Sequence, residues 1–239
     1  MTAIPWLESD EFPDPGSALA SPNGLLAAGG SLSPATLLKA YQSGIFPWYE
    51  EGQPLLWWSP DPRTIIRPEH VKISRSLRKR LRRAEFEVFV NRDFAAVIHA
   101  CAAPRSYADG TWITPEMEAA YCALHELGHA HCISCYQDGQ LVGGLYGVGI
   151  GRMFCGESMF QRATDASKVA FAHLNQFMAL AGADMIDCQL ENDHLLSLGC
   201  ESIPRQAYLQ RLQVASQESA PDWRMRQLVY DWNGTILAP

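Results

Sequence analysis

The clearest candidates for chemistry are a carboxylate and an amide, Asp187 and Gln189, which lie two residues apart. Their neighbours Met185, Ile186 and Cys188 are apolar, and this pattern is typical of a buried strand. Because strand side chains alternate between faces, the pattern predicts that the two polar groups point the same way. Buried polar groups need partners, so either a satisfied structural pair or one side of an active-site cleft would explain them.

Glu157 is a third candidate, because it stands among the apolar residues Phe154, Met159 and Phe160. An unpaired buried carboxylate is costly, so Glu157 is expected to meet a cation or hydrogen-bond donors. A structural salt bridge and a contact with a cationic part of a substrate are both open interpretations.

His125, Glu126 and His129 form an H-E-x-x-H run, the pattern of zinc peptidases. Zinc binding would require both imidazoles on one helical face, one turn apart. Gly128 is a typical helix stop, and the residues after it alternate like a strand, so the two histidines are not expected to share a face. The sequence therefore disfavours zinc, although a zinc metallopeptidase remains an alternative.

The other short motifs do not predict a cofactor. Cys132 and Cys135 are expected on a strand, where residues three apart face opposite sides and cannot hold one zinc ion. The seven cysteines show no framework spacing and are predicted to be reduced thiols. The glycine-rich run 143–151 lies in a predicted hairpin and fits no phosphate loop. Residues 161–166 lack the glycines of a CoA-binding loop.

Charge is distributed unevenly along the chain. The segment from Arg63 to Arg83 contains nine Lys or Arg and one acid, a net charge of +8, whereas the whole chain carries −7. A helix from Ser74 or Ser76 to about Arg83 would be basic over most of its circumference. A solvated surface helix would more often mix both signs, so the helix favours nucleic acid as a partner.

The elements that would position these groups are a mixture of strands and helices, which predicts a mixed α/β (α+β) fold. Residues 1–62 are rich in Pro, Gly and Trp and predict a small aromatic-rich N-terminal domain; residues 63–239 predict a larger domain. In that domain we expect helices over 94–103, 115–127 and 165–182, a β-hairpin over 130–150, the strand at Asp187 and then one short helix. The tail from Ser216 is polar and weakly patterned.

No run approaches the ~18 apolar residues that a membrane span needs. The first 15 residues lack the basic start and apolar core of a signal peptide. We therefore expect a cytoplasmic protein that does not bind membranes. A monomer is the expected oligomeric state, although no feature of the sequence determines it.

Several blocks of the sequence resemble those of the leucyl/phenylalanyl-tRNA–protein transferases, in the same order, between about residues 12 and 209. They include Phe46-Pro47-Trp48, Trp57-Trp58-Ser59-Pro60, Gly110-Thr111-Trp112-Ile113-Thr114-Pro115, Phe154-Cys155-Gly156-Glu157-Ser158-Met159-Phe160, Asp187-Cys188-Gln189 and Asn192-Asp193-His194. The resemblance implies an acetyltransferase-like (GNAT-like) larger domain. It also implies transfer of Leu or Phe, with Met a further candidate, from aminoacyl-tRNA to the N-terminal Arg or Lys of a protein, which marks that protein for degradation. The tRNA ester is already activated, so no ATP, metal or CoA is required.

The same resemblance assigns roles to residues. It implies that Gln189 engages the attacking amine, while Asp187 polarises Gln189 and helps accept the proton. Trp48 and Trp112 would stack on the terminal adenosine, and Glu157, Ser158 and Asn192 would contact the substrate. The expected apolar pocket comprises Leu145, Phe154, Met159, Phe171, Leu174, Phe177 and Ile186. The expected tRNA-binding residues are Arg75, Arg78, Lys79, Arg80, Arg82 and Arg83, which would contact phosphates.

Two other function classes remain open beside the zinc peptidase. A non-catalytic RNA-binding protein would use the same basic helix and tryptophans. A CoA-dependent acyltransferase is less compatible with the sequence of residues 161–166.

Overall fold

The structure is a computed structural model that describes residues 4–103 and 112–233. A small sheet contains the strands β1 (Trp6–Leu7), β2 (Leu25–Gly29), β3 (Phe46–Pro47) and β4 (Leu56–Trp58), in the spatial order β1-β2-β4-β3. Helix α1 (Pro34–Gln42) lies between β2 and β3 in the chain. It begins as the sequence predicts, because the Ser33 side chain accepts the N–H of Thr36 and a proline occupies the first helical position.

A larger sheet of eight strands follows. Its strands are β5 (Arg63–Ile66), β6 (Glu87–Val90), β7 (Ala130–Gln137), β8 (Gln140–Ile150), β9 (Met153–Gln161), β10 (Ile186–Gln189), β11 (Glu201–Ile203) and β12 (Arg226–Gln227). The spatial order is β11-β5-β10-β9-β8-β7-β6-β12. Strands β9 and β10 run parallel, and the other neighbours are antiparallel. The strand that carries Asp187 is therefore held on both sides, by β5 and β9.

Six further α-helices occur in the described part of the chain. They are α2 (Arg75–Arg82), α3 (Phe94–Ala102), α4 (Pro115–Glu126), α5 (Ala166–Leu180), α6 (Asp193–Ser197) and α7 (Arg205–Gln217). The mixed α/β class is confirmed, and so are the β7–β8 hairpin and helices α3, α4 and α5. Across residues 4–103 and 112–233, no helix combines the length and the apolar character needed to cross a membrane.

The larger sheet separates two hydrophobic cores. The first core lies among the small sheet and helices α1, α3, α4 and α7, and it joins Trp57 of the small sheet to Tyr121 and Tyr208. The second core lies among α2, α5 and the C-terminal tail. The change from one sheet to the other falls between Trp58 and Arg63, close to the boundary expected after residue 62, yet residues from both sheets share the first core.

Two expectations for the C-terminal region were wrong. Helix α7 follows β11, where the sequence predicted only one short helix after β10. The tail, expected to be polar and weakly patterned, buries Trp223, Leu228 and Trp232 in the second core. Its apolar residues follow no regular helical or strand spacing, so periodicity could not reveal this packing.

Candidate active site

Strand β10 brings Asp187 into the core and then bends at Gln189. On the β5 side the strand register shifts between Asp187 and Gln189. Gln189 has a φ of +63°, in the left-handed region that residues other than glycine rarely adopt. The register shift interrupts the strict alternation of the strand, and the two side chains have different partners: Asp187 pairs with Arg63 and Tyr208, and the Gln189 amide with Glu157.

The Asp187 carboxylate is fully buried and accepts four hydrogen bonds. Oδ1 accepts from Arg63 Nε at 2.8 Å and from the backbone N–H of Gln189 at 2.9 Å. Oδ2 accepts from Arg63 Nη2 at 2.7 Å and from the Tyr208 hydroxyl at 2.8 Å. A carboxylate has about four lone-pair sites, so Asp187 holds the Gln189 backbone and has little capacity left for a substrate proton.

Arg63 is a site residue that the sequence analysis missed, because it was counted with the basic segment. Its side chain is only 1% exposed and forms a bidentate ion pair with Asp187. Burial alone would lower the pKa of Arg63, but the adjacent Asp187 carboxylate raises that pKa above its ordinary value. One signal was available in the sequence: a charged residue that opens an apolar strand needs a buried partner.

Glu157 on β9 meets hydrogen-bond donors. The Gln189 side-chain amide donates to Oε1 at 2.6 Å, and the Tyr121 hydroxyl donates to Oε2 at 3.1 Å. The Tyr121 hydroxyl is also hydrogen-bonded to the hydroxyl of Tyr41 on α1. Burial raises the pKa of Glu157 to about 7, although the Tyr41 and Tyr121 hydroxyls act to lower it. The expectation of donors is confirmed, and the described residues form no salt bridge with Glu157.

A cavity of about 520 Å³ opens beside Gln189 and Glu157. It brings together most of the expected substrate-binding residues, namely Trp48, Trp112, Leu145, Phe154, Glu157, Ser158, Met159, Phe171, Leu174, Ile186 and Asn192. Phe46, Tyr146, Cys188 and His194 also line it, and the sequence analysis did not select them. A largely apolar cavity lined by a few polar groups is typical of a small-ligand site.

Phe177 was expected in this pocket, and that expectation was wrong. Its ring packs on Trp223 of the C-terminal tail, with 4.7 Å between ring centroids. Helix geometry explains the difference, because Phe177 lies six positions after Phe171 and therefore about 120° away around α5.

The two predicted stacking platforms lie at the same cavity. Trp48 is 37% exposed and packs against Trp58, with ring centroids 5.5 Å apart. The Trp58 indole N–H also donates to the backbone carbonyl of Trp48 at 2.6 Å, which fixes the local backbone.

Asn192 lines the cavity too, and its side-chain oxygen caps α6 by accepting the N–H of Leu195 at 2.9 Å.

Helix α2 begins at Ser74, whose hydroxyl accepts the N–H of Leu77 at 3.2 Å. Leu77 and Leu81 are buried, and the opposite face forms a shallow basic groove of about 300 Å³. The groove is lined by Arg75, Arg78, Lys79, Arg82 and Arg83. Arg80 was expected in the same set but does not line it, because its guanidinium pairs with Glu85 at 2.8 Å and with Asp165 at 3.6 Å.

Comparison with known proteins identifies the family. A profile described as leucyl/phenylalanyl-tRNA protein transferase matches residues 65–213, and the profile of that family's N-terminal domain matches residues 30–61. The chain belongs to the leucyl/phenylalanyl-tRNA–protein transferase family. The predicted resemblance and the assignment to the aminoacyltransferases are thereby confirmed, whereas nothing supports the alternatives of a zinc peptidase or an RNA-binding protein.

Full-length relatives in this family are closely similar. The leucyl/phenylalanyl-tRNA–protein transferase of Stutzerimonas stutzeri is 55% identical over 224 residues, which cover 92% of this chain and 99% of the relative. The one of Azoarcus sp. is 52% identical and covers 98% of this chain and 97% of the relative. Among solved structures, L-PGS from Bacillus licheniformis overlaps with 70% of this chain and 54% of its own, at 14% identity and a TM-score of 0.39, which is too low to support a conclusion.

The H-E-x-x-H run has a structural role in this member of the transferase family. Helix α4 ends at Glu126, and Gly128 has a φ of +81°. His125 stacks on Phe94 at 4.3 Å and its Nδ1 donates to the Ala130 carbonyl at 2.8 Å. Across the described ranges, no group of three or more potential ligands could hold a metal ion.

Cys132 and Cys135 face opposite cores, as the strand pattern predicts. Cys132 packs in the first core and Cys135 in the second. Their thiols donate to the carbonyls of Arg92 and Ala166 respectively, so they cannot bind one ion together.

Proposed function

We propose that this protein transfers a leucyl or phenylalanyl group from its tRNA to the N-terminal Arg or Lys of an acceptor protein. The observation that supports the proposal is the cavity itself, whose wall is mostly apolar and includes the hydrogen-bonded pair of Gln189 and Glu157. The tRNA supplies an activated ester, so the residues must position the acceptor amine, guide its proton and stabilise the developing oxyanion.

The apolar wall suits the side chain of the transferred residue. Leu145, Met159 and Phe171 present hydrocarbon and thioether surface to the cavity. Such a pocket rejects charged side chains strongly, because their desolvation is not compensated. It separates side chains that differ by one methylene only weakly, so Met is a further candidate beside Leu and Phe.

Two features would hold the tRNA. Trp48 and Trp112 offer aromatic faces for the terminal adenosine, and such stacking is worth ~1–3 kcal/mol per base. The groove on α2 offers five basic side chains for backbone phosphates. Phosphate contacts position the nucleic acid without reading its sequence, so the aminoacyl group would supply most of the selectivity.

The hydrogen bonds at Gln189 support a role for each polar group. The amide N–H of Gln189 donates to Glu157, so the amide oxygen is left to accept an N–H from the attacking amine. Asp187 accepts the backbone N–H of Gln189 and thereby orients the Gln189 side chain. In the transfer, the new C–N bond forms as the ester C–O bond breaks, and the proton of the amine passes to the departing tRNA hydroxyl.

The direct test is transfer of labelled Leu from Leu-tRNA to a peptide that begins with Arg, beside a peptide that begins with Gly. We expect transfer to the Arg peptide alone. Gln189→Gly removes the amide at a φ that glycine tolerates, and we expect it to lower kcat about 100-fold or more with tRNA affinity retained. The matched control is Gln217→Gly, at the exposed end of α7. Wild-type protein that binds tRNA but transfers nothing would contradict the proposal.

A further inference from the structure

Arg63 contacts residues from four parts of the fold, two of which, β3 and β10, also line the cavity. Its Nε and Nη2 bind Asp187 on β10, and its Nη1 donates to the carbonyl of Gly44, just after α1, at 3.2 Å. The guanidinium carbon lies 4.7 Å from the ring centroid of Phe46 on β3 and 4.6 Å from that of Tyr208 on α7. The guanidinium therefore binds a carboxylate through two N–H groups and contacts two aromatic rings.

Two of these contacts lead directly to the substrate cavity. Asp187 accepts the backbone N–H of Gln189, so its position sets the bend that aims the Gln189 amide. Phe46 forms part of the cavity wall. Arg63 therefore contacts both Asp187, which binds the Gln189 backbone, and Phe46, which lines the cavity. Gln189 belongs to the larger sheet and Phe46 to the small sheet.

We propose that Arg63 is a positioning residue for aminoacyl transfer: it fixes the Gln189 amide relative to the cavity wall that receives the substrate. The inference rests on the proposed function. Its physical basis is the shape of the guanidinium, which is planar, binds a carboxylate with two parallel N–H groups and stacks on aromatic rings. Lysine keeps the charge but has neither the fork nor the flat face, so Arg63→Lys separates positioning from charge.

The test measures kcat, KM for aminoacyl-tRNA and thermal stability for Arg63→Lys. The matched control is Arg67→Lys, four residues along the chain, because Arg67 also pairs with a carboxylate, Glu201, but is 39% exposed. We expect Arg63→Lys to lower kcat about 10- to 100-fold with KM for tRNA within about twofold of wild type, since the basic groove is untouched. We expect Arg67→Lys to match wild type. Wild-type kcat in Arg63→Lys would overturn the inference.

A double variant distinguishes positioning from simple support of the fold. Arg63→Met alone leaves the Asp187 carboxylate buried without its partner and should lower the melting temperature. Arg63→Met combined with Asp187→Leu removes both charges, and such replacements often restore stability. We expect the double variant to regain stability while kcat stays low, and recovery of both would overturn the inference. If the wild-type protein transfers nothing, the proposed function and this inference fail together.

Discussion

Glu157 holds its proton more tightly in the folded protein than in the unfolded chain. Burial raises its pKa from 4.5 to about 7, so between these pH values the native state binds more protons than the unfolded state. By linkage, the contribution of Glu157 to the free energy of unfolding falls as pH rises through this window and is lowest above about pH 7. Glu157 therefore costs stability at the pH where its carboxylate form is present.

Replacing this acid by an amide should remove the cost. We expect Glu157→Gln to be more stable than wild type by about 1 to 3 kcal/mol at pH 8, with this pH-dependent difference vanishing below the ordinary pKa of 4.5. Denaturant unfolding across the pH range is the measurement, with Glu51→Gln at an exposed turn as the control. Parallel stability curves for wild type and Glu157→Gln would contradict the assignment.

Single residues differ in how visible their roles are in the sequence. Asp187, Gln189 and Glu157 could be selected because polar groups among apolar neighbours need partners. Arg63 lies 124 positions from Asp187. Tyr41 and Tyr121 take part in the site only through the hydrogen bonds of their hydroxyl groups near Glu157. Their involvement depends on which elements pack together, and local spacing does not contain that information.

At the scale of elements, the C-terminal tail is a packing element despite its weak pattern. Trp232 is 4% exposed and meets the ring of His173 on α5, 5.0 Å between centroids. We expect Trp232→Ala to lower the free energy of unfolding by about 3 kcal/mol. We also expect kcat to be unchanged, because Trp232 belongs to the second core and does not line the cavity. Val229→Ala, at a side chain that is 79% exposed, should leave stability unchanged; equal effects of the two changes would be inconsistent with this packing.

Elements with strong local signals were predicted, and elements defined by tertiary contacts were not. The β7–β8 hairpin follows from Asp138-Gly139 between alternating runs, and α1 follows from Ser33-Pro34. Helix α7 buries only Tyr208, Leu212 and Ala215 of its 13 residues, so its apolar stripe is narrow. The bend at Gln189 has no local sequence signal, because neither glycine nor asparagine marks it.

At the scale of the whole molecule, a basic groove lies on an acidic protein. The chain carries −7 overall, so the α2 groove is the feature expected to attract the tRNA backbone while the remaining surface repels it. Binding should weaken as salt concentration rises, because each phosphate contact releases counterions. The slope of log affinity against log salt therefore counts these contacts.

Substitutions in the groove should change that slope in a defined way. We expect Lys79→Ala and Arg82→Ala each to weaken tRNA binding and to reduce the salt slope by about 1, with kcat at saturating tRNA preserved. Lys39→Ala, an exposed lysine on α1, is the control and should not change the slope. If neither groove variant altered the slope, the tRNA would have to bind another surface.

The arrangement of the two sheets around one core is the part of the fold that the sequence could not predict. The composition change near residue 62 indicated two units, but Trp57 packs in the same core as Tyr121 and Tyr208. Arg63 also contacts Gly44 and Phe46 from one unit and Asp187 from the other. Neither these contacts nor the shared core follows from the periodicity of either unit.

The left-handed backbone conformation of Gln189 affects which substitutions selection can favour at this position. A residue with a side chain at φ +63° stores roughly 1–2 kcal/mol of conformational strain, which the surrounding strands must outweigh. Glycine would relieve that strain and remove the amide in the same step. At this one position the substitution that best suits the backbone is also the one expected to lower kcat, so we expect selection for thermostability and selection for turnover to act there in opposite directions.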